Sequence, residues 1–159
     1  SQAESRFRLV IAPDATAIGW EAIMLGRQAS NEAWATGSIR FATEISRPSG
    51  EMLWVDRTIL PAGSALLRAP QALDGFKLFG LLWAIGPSCT RELAEELAKS
   101  LPFNGNLRVG VTCLPNGVLL IRVLSDKIEA LRHVLVNCWM RLRPIINGLA
   151  AQPLRLWAT

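Results

Sequence analysis

Hydrophobic and polar residues alternate along much of the first half of this chain, and a period of two predicts strands. The clearest case is Trp34 to Ser46. There Ile39, Phe41, Thr43 and Ile45 share one face, and Arg40, Ala42 and Glu44 the other. Pro48-Ser49-Gly50 is a hairpin turn leading into a return strand, Glu51 to Leu60. On that strand Met52, Trp54, Asp56 and Thr58 take one face, and Leu53, Val55, Arg57 and Ile59 the other. Upstream, Arg6 to Ala12 alternates loosely before a Pro13-Asp14 turn. Thr16 to Leu25 is apolar around Trp20 and Glu21, until Gly26-Arg27-Gln28-Ala29-Ser30 breaks it. Pro61-Ala62-Gly63 turns the chain again, and Pro70 interrupts Ala65 to Leu73. Phe76 to Ile85 is nearly all apolar, with a break at Gly80 that suits a buried strand.

The period changes after Gly86-Pro87-Ser88. Thr90 can cap a helix, and Glu92, Glu95 and Glu96 fall in its first turns, where the helix dipole favours acids. Leu93, Leu97 and Leu101 recur every four residues as one apolar stripe, and Pro102 ends it. Leu107 to Cys113 and Val118 to Leu124 flank Pro115-Asn116-Gly117, and Asn-Gly is the strongest short hairpin signal in the chain. A second helix begins at Ser125 or Asp126, with Asp126 and Glu129 as a capping-box variant. Its stripe is Ile128, Leu131, Leu135, Cys138, Trp139 and Leu142. Pro144 costs about 3 kcal/mol inside a helix, so the helix is expected to end or kink near Arg143. The expected layout is strands over residues 6–85, a helix over 90–101, a hairpin over 107–124 and a helix over 126–143. That is a mainly β chain, α+β overall, with two helices near its C-terminal end.

Composition narrows the function more by exclusion than by assignment. A chain of 159 residues, half of them hydrophobic, fits one domain with an ordinary core. Its net charge of +4 is spread over scattered arginines. It lacks the clustering of a nucleic-acid binder. Three widely spaced cysteines make neither a disulfide framework nor a zinc site, and they fit a reducing compartment. Ser1 to Phe7 is polar, unlike a signal peptide, and the longest apolar run is too short to span a bilayer. A cytoplasmic protein without membrane or nucleic-acid partners is therefore expected. The chain starts at Ser1 without an initiator Met, which fits either a single domain over 1–159 or the C-terminal part of a longer one.

The chemistry is equally sparse. The one histidine, His133, lies beside an apolar helical stripe, and a single His excludes a two-His metal site within one chain. No Gly-rich phosphate loop is present. A cysteine nucleophile would have only His133 as a base. No enzyme activity is expected. Two acids stand out: Glu21 within Ile18-Gly19-Trp20-Glu21-Ala22-Ile23, and Asp56 within Leu53-Trp54-Val55-Asp56-Arg57. An ionised carboxylate among apolar residues is costly unless paired or solvated. Two readings follow. Either these acids form internal ion pairs with Arg27 or Arg57, or they line a polar passage, where oxygen ligands bind divalent ions weakly and exchange them fast. Most of the six tryptophans sit in apolar runs and read as core, while Trp157 near the C-terminal end reads as a docking residue.

The order of several short motifs carries more than any one of them. Arg122 lies on a strand, Ser125-Asp126 precedes a helix bearing Trp139 and Leu142-Arg143-Pro144, and Pro153-x-Arg155-x-Trp157-x-Thr159 follows. Upstream stand Ser5-Arg6-Phe7, Gly19-Trp20-Glu21, Leu25-Gly26-Arg27-x-Ala29-Ser30-x-Glu32 and Asp56-Arg57. This series resembles the urease accessory protein UreD family, also called UreH, along nearly the whole chain. The family is longer, with an N-terminal Gly-rich part and further strands that have no counterpart here. Their absence is expected to leave strand edges unpaired and open to self-association. The tail also has Pro153-Leu154-Arg155 where the family usually has Pro-Arg.

The resemblance implies a non-enzymatic scaffold or chaperone with helically wound, stacked strands. It also implies partners: UreF, UreG through UreF, and the urease apoprotein, in service of nickel insertion into the urease metallocentre. No cofactor is expected to be bound tightly, and nickel would pass only transiently. On this reading Glu21 and Asp56 lie near a nickel passage. Arg27, Arg57 and Trp157 orient those acids or meet partners. The competing reading is a strand-rich protein–protein interaction module without a metal role.

Overall fold

A computed structural model describes residues 2–26 and 34–152. Seven strands and two helices follow in the order β1 (Gln2–Val10), β2 (Ala17–Met24), β3 (Ser38–Ser46), β4 (Met52–Pro61), β5 (Leu78–Ile85), α1 (Arg91–Ser100), β6 (Leu107–Leu114), β7 (Val118–Ser125) and α2 (Ile128–Asn147). The expected class, strand-rich α+β with two late helices, is the one observed. The stretch interrupted by Pro70 holds a short 3₁₀ turn, Ala65–Leu67, capped by Ser64 Oγ, which accepts from Leu66 N at 3.2 Å. Among the described residues no helix is long and apolar enough to cross a membrane. The chain divides into two compact units, one drawn from Ser1–Ala15 and Met24–Lys77, the other from Thr16–Ile23 and Leu78–Thr159.

The first unit is built on a three-stranded sheet in the order β1-β3-β4. β1 runs parallel to β3 in unbroken register, from Gln2 opposite Ser38 to Val10 opposite Ser46. β4 returns antiparallel to β3 through Pro48-Ser49-Gly50, with Gly50 at φ +89°, a conformation that L side chains rarely adopt. Arg47 Nη1 donates to the carbonyl of Ala12 at 2.6 Å and ties this turn to the end of β1. The alternation read from the sequence holds along β3 and from Trp54 onward along β4. It fails at Leu53. Trp54 pairs with Ile45 while Met52 pairs with Ser46, so Leu53 is the extra residue of a β-bulge. The bulge lets Leu53 and Trp54, neighbours in sequence, both be buried, which strict alternation forbids.

The second unit is a four-stranded sheet in the order β2-β5-β7-β6, with β7 antiparallel to both β5 and β6. The β6–β7 turn is the expected one, with Gly117 at φ +77°. Leu78, Leu82 and Ala84 of β5 and Leu119, Ile121 and Val123 of β7 join Leu131, Leu135 and Leu142 of α2 in one buried cluster. Each such leucine contributes about 1.5–3 kcal/mol by leaving water. Gly80 makes room for α2, because a Cβ there would lie 3.0 Å from Leu135 Cδ1. The opposite face of β5 is buried too, at Leu81, Trp83 and Ile85. This double burial explains why β5 reads as a continuous apolar run rather than an alternating one.

The helices match the stripes but not every expected boundary. Thr90 Oγ1 accepts from Leu93 N at 3.2 Å, as the cap of α1. α2 begins later than expected. Lys127 is its N-cap and makes no side-chain capping bond. Ser125 instead closes a local turn, accepting from Lys127 N at 3.1 Å and donating to Lys127 O at 2.9 Å. α2 also continues through Pro144 to Asn147. Three contacts hold this last turn: Ile146 is buried, Gly148 N–H returns to Pro144 O in a left-handed cap, and Asn147 Nδ2 donates to Thr16 Oγ1 at 2.9 Å. Packing thus outweighs the local cost of the proline.

Candidate functional site

Asp56 lies in the middle of β4, opposite Thr43 of β3. Thr43 is buried, as are Ile45 and Trp54 one step away on the same face. Asp56 itself is half-buried and accepts a long hydrogen bond from Thr58 Oγ1, 3.4 Å from its Oδ1. A carboxylate is therefore presented on the inner-patterned face of the sheet, beside a buried hydroxyl. The internal ion pair with Arg57 does not form. Consecutive strand residues point to opposite faces, and Arg57 instead bonds Glu44 Oε1 at 2.5 Å on the other side. That hydrogen bond holds the Glu44 carboxyl below its ordinary range against the opposing effect of burial, with help from the charges of Arg57, Arg8 and Arg6.

Glu21 belongs to the second unit and is half-buried in the middle of β2. Ile18, Trp20 and Ala22 pack against the helix-backed cluster. By alternation Gly19, Glu21 and Ile23 point to the face away from the helices. That face is tightly made. The Trp83 ring lies over Gly19 so closely that any Cβ there would overlap it. Glu21 is thus a carboxylate on the aromatic side of its sheet. Arg27 and Trp157 lie outside the described residues. Among the described residues no group of three or more His, Cys, Asp or Glu side chains is placed to hold a metal ion.

Two features were not foreseen from sequence. The first is the outer face of the three-stranded sheet. The registers of β1, β3 and β4 bring Arg6, Arg8, Arg40 and Arg57 onto one surface with Glu4 and Glu44. Arg6 and Arg8 share a face by alternation alone, but strand pairing is what brings Arg40 and Arg57 beside them. The second lies at the end of α2. The Arg143 guanidinium stacks 4.8 Å from the Trp139 ring centroid, and its Nε is buried without a hydrogen-bond partner. Both residues belong to the motif series that carries the family resemblance. The cysteines show no sign of reactivity. Burial pushes the thiols of Cys89 and Cys138 up to about 11, and Cys113 donates to the Cys89 carbonyl at 3.2 Å. His133 is exposed and bonded to Asn137 at 2.8 Å.

Comparison with known proteins agrees with the motif order. The family model described as UreD urease accessory protein matches residues 1–158. The urease accessory protein UreD of Cupriavidus pinatubonensis is 50% identical over 154 residues, covering 95% of this chain and 53% of that protein. Its counterpart in Cupriavidus necator is 49% identical over 155 residues, with the same two coverages. That of Bordetella pertussis is 35% identical over 163 residues, covering all of this chain and 57% of the relative. The chain spans about half the length of the curated relatives it matches. A family match over residues 1–158, with a relative 50% identical over 95% of this chain, places this chain in the UreD urease accessory protein family.

Proposed function

We propose that this chain acts in urease maturation as a non-enzymatic, cytoplasmic scaffold that binds UreF, UreG through UreF, and the urease apoprotein, and assists delivery of nickel to the urease metallocentre. The observation that carries this reading is the family match across residues 1–158. Nickel is cargo here rather than a resident cofactor. Glu21 and Asp56 are the acids assigned to its passage. Both are half-buried carboxylates on strands, next to buried or aromatic neighbours. Oxygen donors of this kind exchange a divalent ion quickly, which suits transfer. Arg57, held by Glu44 on the outer face, takes a partner-facing role rather than orienting Asp56. Arg27 and Trp157 keep the partner-binding roles assigned from the motif series.

The test is urease activation in cells that lack their own UreD and express this chain with UreF, UreG and urease. Co-purification with UreF and urease, together with nickel-dependent urease activity, is the expected result. Combined Glu21→Ala and Asp56→Ala replacement is expected to lower the nickel content of urease while leaving co-purification intact. Unchanged nickel content would remove the passage role and leave an interaction module without a metal function. Loss of all partner binding in the unmodified chain would defeat the scaffold reading itself.

A further inference from the structure

The second unit holds a groove beside α2. It encloses about 810 Å³ and is open to solvent. Ala130, Val134 and Cys138 line its floor, and Glu129, His133, Asn137 and Arg141 run beside them as an exposed rim. Both sets recur every four residues along α2. Such rows are the ridges of a helix surface, and the channel beside a ridge is where the ridge of another helix packs. Leu101 and Pro102, just beyond α1, and Leu107, at the start of β6, form the opposite wall. The backbone of α2 is bonded within the helix, so the groove offers no ladder to an extended strand. What it offers is an apolar channel with charge at both ends.

Those charges define the occupant. Glu129 and Arg141 stand about 18 Å apart along α2. Among the described residues neither has an ion-pair partner. Arg141 is nonetheless held in place. Its Nη1 donates to Ser100 Oγ at 2.6 Å, and Ser100 Oγ donates to the Leu97 carbonyl at 2.9 Å. The other guanidinium donors are left for a carboxylate. Between the two charges, His133 and Asn137 bond each other at 2.8 Å. We propose that this groove receives an amphipathic helix of a partner protein, its apolar face on Val134, Cys138 and Leu107, an acid on Arg141 and a base at Glu129. The helices of a second copy do not fit this description. Leu97 of α1 and Leu131, Leu135 and Leu142 of α2 already bury their apolar stripes in their own core. The inference does not depend on the nickel role.

The test is fluorescence anisotropy of a synthetic helix of about 16 residues, titrated with the 159-residue chain. The helix carries leucines along one face, a glutamate and a lysine about 18 Å apart, and alanine and glutamine elsewhere. Saturable binding is expected. Arg141→Glu, at an exposed rim position, and Ala130→Trp, which fills the floor, are each expected to weaken it about tenfold at an unchanged thermal midpoint. Where either shifts the midpoint, Arg141→Gln and Ala130→Leu are expected to weaken binding in the same direction. A second helix with lysine at both ends is expected to bind the unmodified chain about tenfold more weakly and to recover on Arg141→Glu. Absence of saturable binding would overturn the inference. Affinity unchanged by the Arg141 or the Ala130 replacement would do so too, because the helix would then lie elsewhere. Equal affinity of the unmodified chain for both helices would remove the charge match and the proposed occupant with it.

Discussion

The two sheets of this molecule follow opposite rules. In the second unit both sides of the central strand β5 are buried, with Leu82 and Ala84 toward α2 and Leu81 and Ile85 on the opposite side. In the first unit full burial falls mainly on one side of β3 and β4, and no residue of β1 is fully buried. The second sheet has the covered, close-packed character that stabilises a fold. The first has the charged, partly open character of a surface that meets other molecules. Carboxylates sit in both, and in the first the arginines gather on one face.

The sharpest way to break this contrast is to empty the second core. Leu131→Ala or Leu135→Ala is expected to cost about 2–5 kcal/mol, since each side chain is fully buried against β5. Ile59→Ala, at a residue more than half exposed in the first unit, is expected to change stability by less than about 0.5 kcal/mol. Urea denaturation reads both, and equal losses would erase the difference between the units. Overfilling should hurt less than emptying. Gly19→Val must displace the Trp83 ring and is expected to cost about 1–3 kcal/mol, with a shift in indole emission.

The thiols sharpen the comparison further, because all three cysteines lie in the second unit. The folded values of Cys89 and Cys138 are raised from 9.0 to about 11, so the unfolded chain loses these protons first. Their contribution to stability is intact below about pH 9 and is lost as the pH climbs toward 11. Cys138→Ala is expected to flatten that alkaline decline in a pH series of thermal midpoints. At pH 8 both thiols are expected to resist a thiol reagent until the protein unfolds. The smallest effect belongs to the first unit. Glu44 has a lowered carboxyl pKa, so its pairing with Arg57 favours the fold above the ordinary carboxylate range and fades as pH falls through the folded value. Arg57→Ala is expected to return the Glu44 titration, followed by NMR, toward the ordinary range. An unmoved titration would mean that the pairing does not persist in solution.

Much of this architecture is legible in the chain because local signals agree with it. Ile39 to Ile45 alternates and forms β3, Thr90 announces α1, and Asn116-Gly117 closes β6 onto β7. The failures occur where distant packing overrules a local rule. Pro144 lies inside α2 because Ile146, Asn147 and Gly148 secure the turn beyond it. Leu53 is buried rather than exposed because a bulge, invisible in a hydropathy pattern, shifts the phase of β4. The acids were visible as charges within apolar runs. Their partners were not, because partners depend on register: Arg57 adjoins Asp56 in sequence and bonds Glu44 in space. The arginine face was hidden for the same reason.

The bulge at Leu53 has a consequence for how this hairpin can change over evolutionary time. Loss of one residue from a regular strand inverts every side chain beyond the gap, exchanging inside for outside. Loss of Val55, for example, would turn Asp56 outward and Arg57 inward. Loss of Leu53 would instead remove the surplus residue and leave Trp54, Asp56 and Leu60 opposite the same partners on β3. Descendants of this sequence could shed that residue at the cost of one buried leucine, and β4 would keep the inside and outside of its message in the same order.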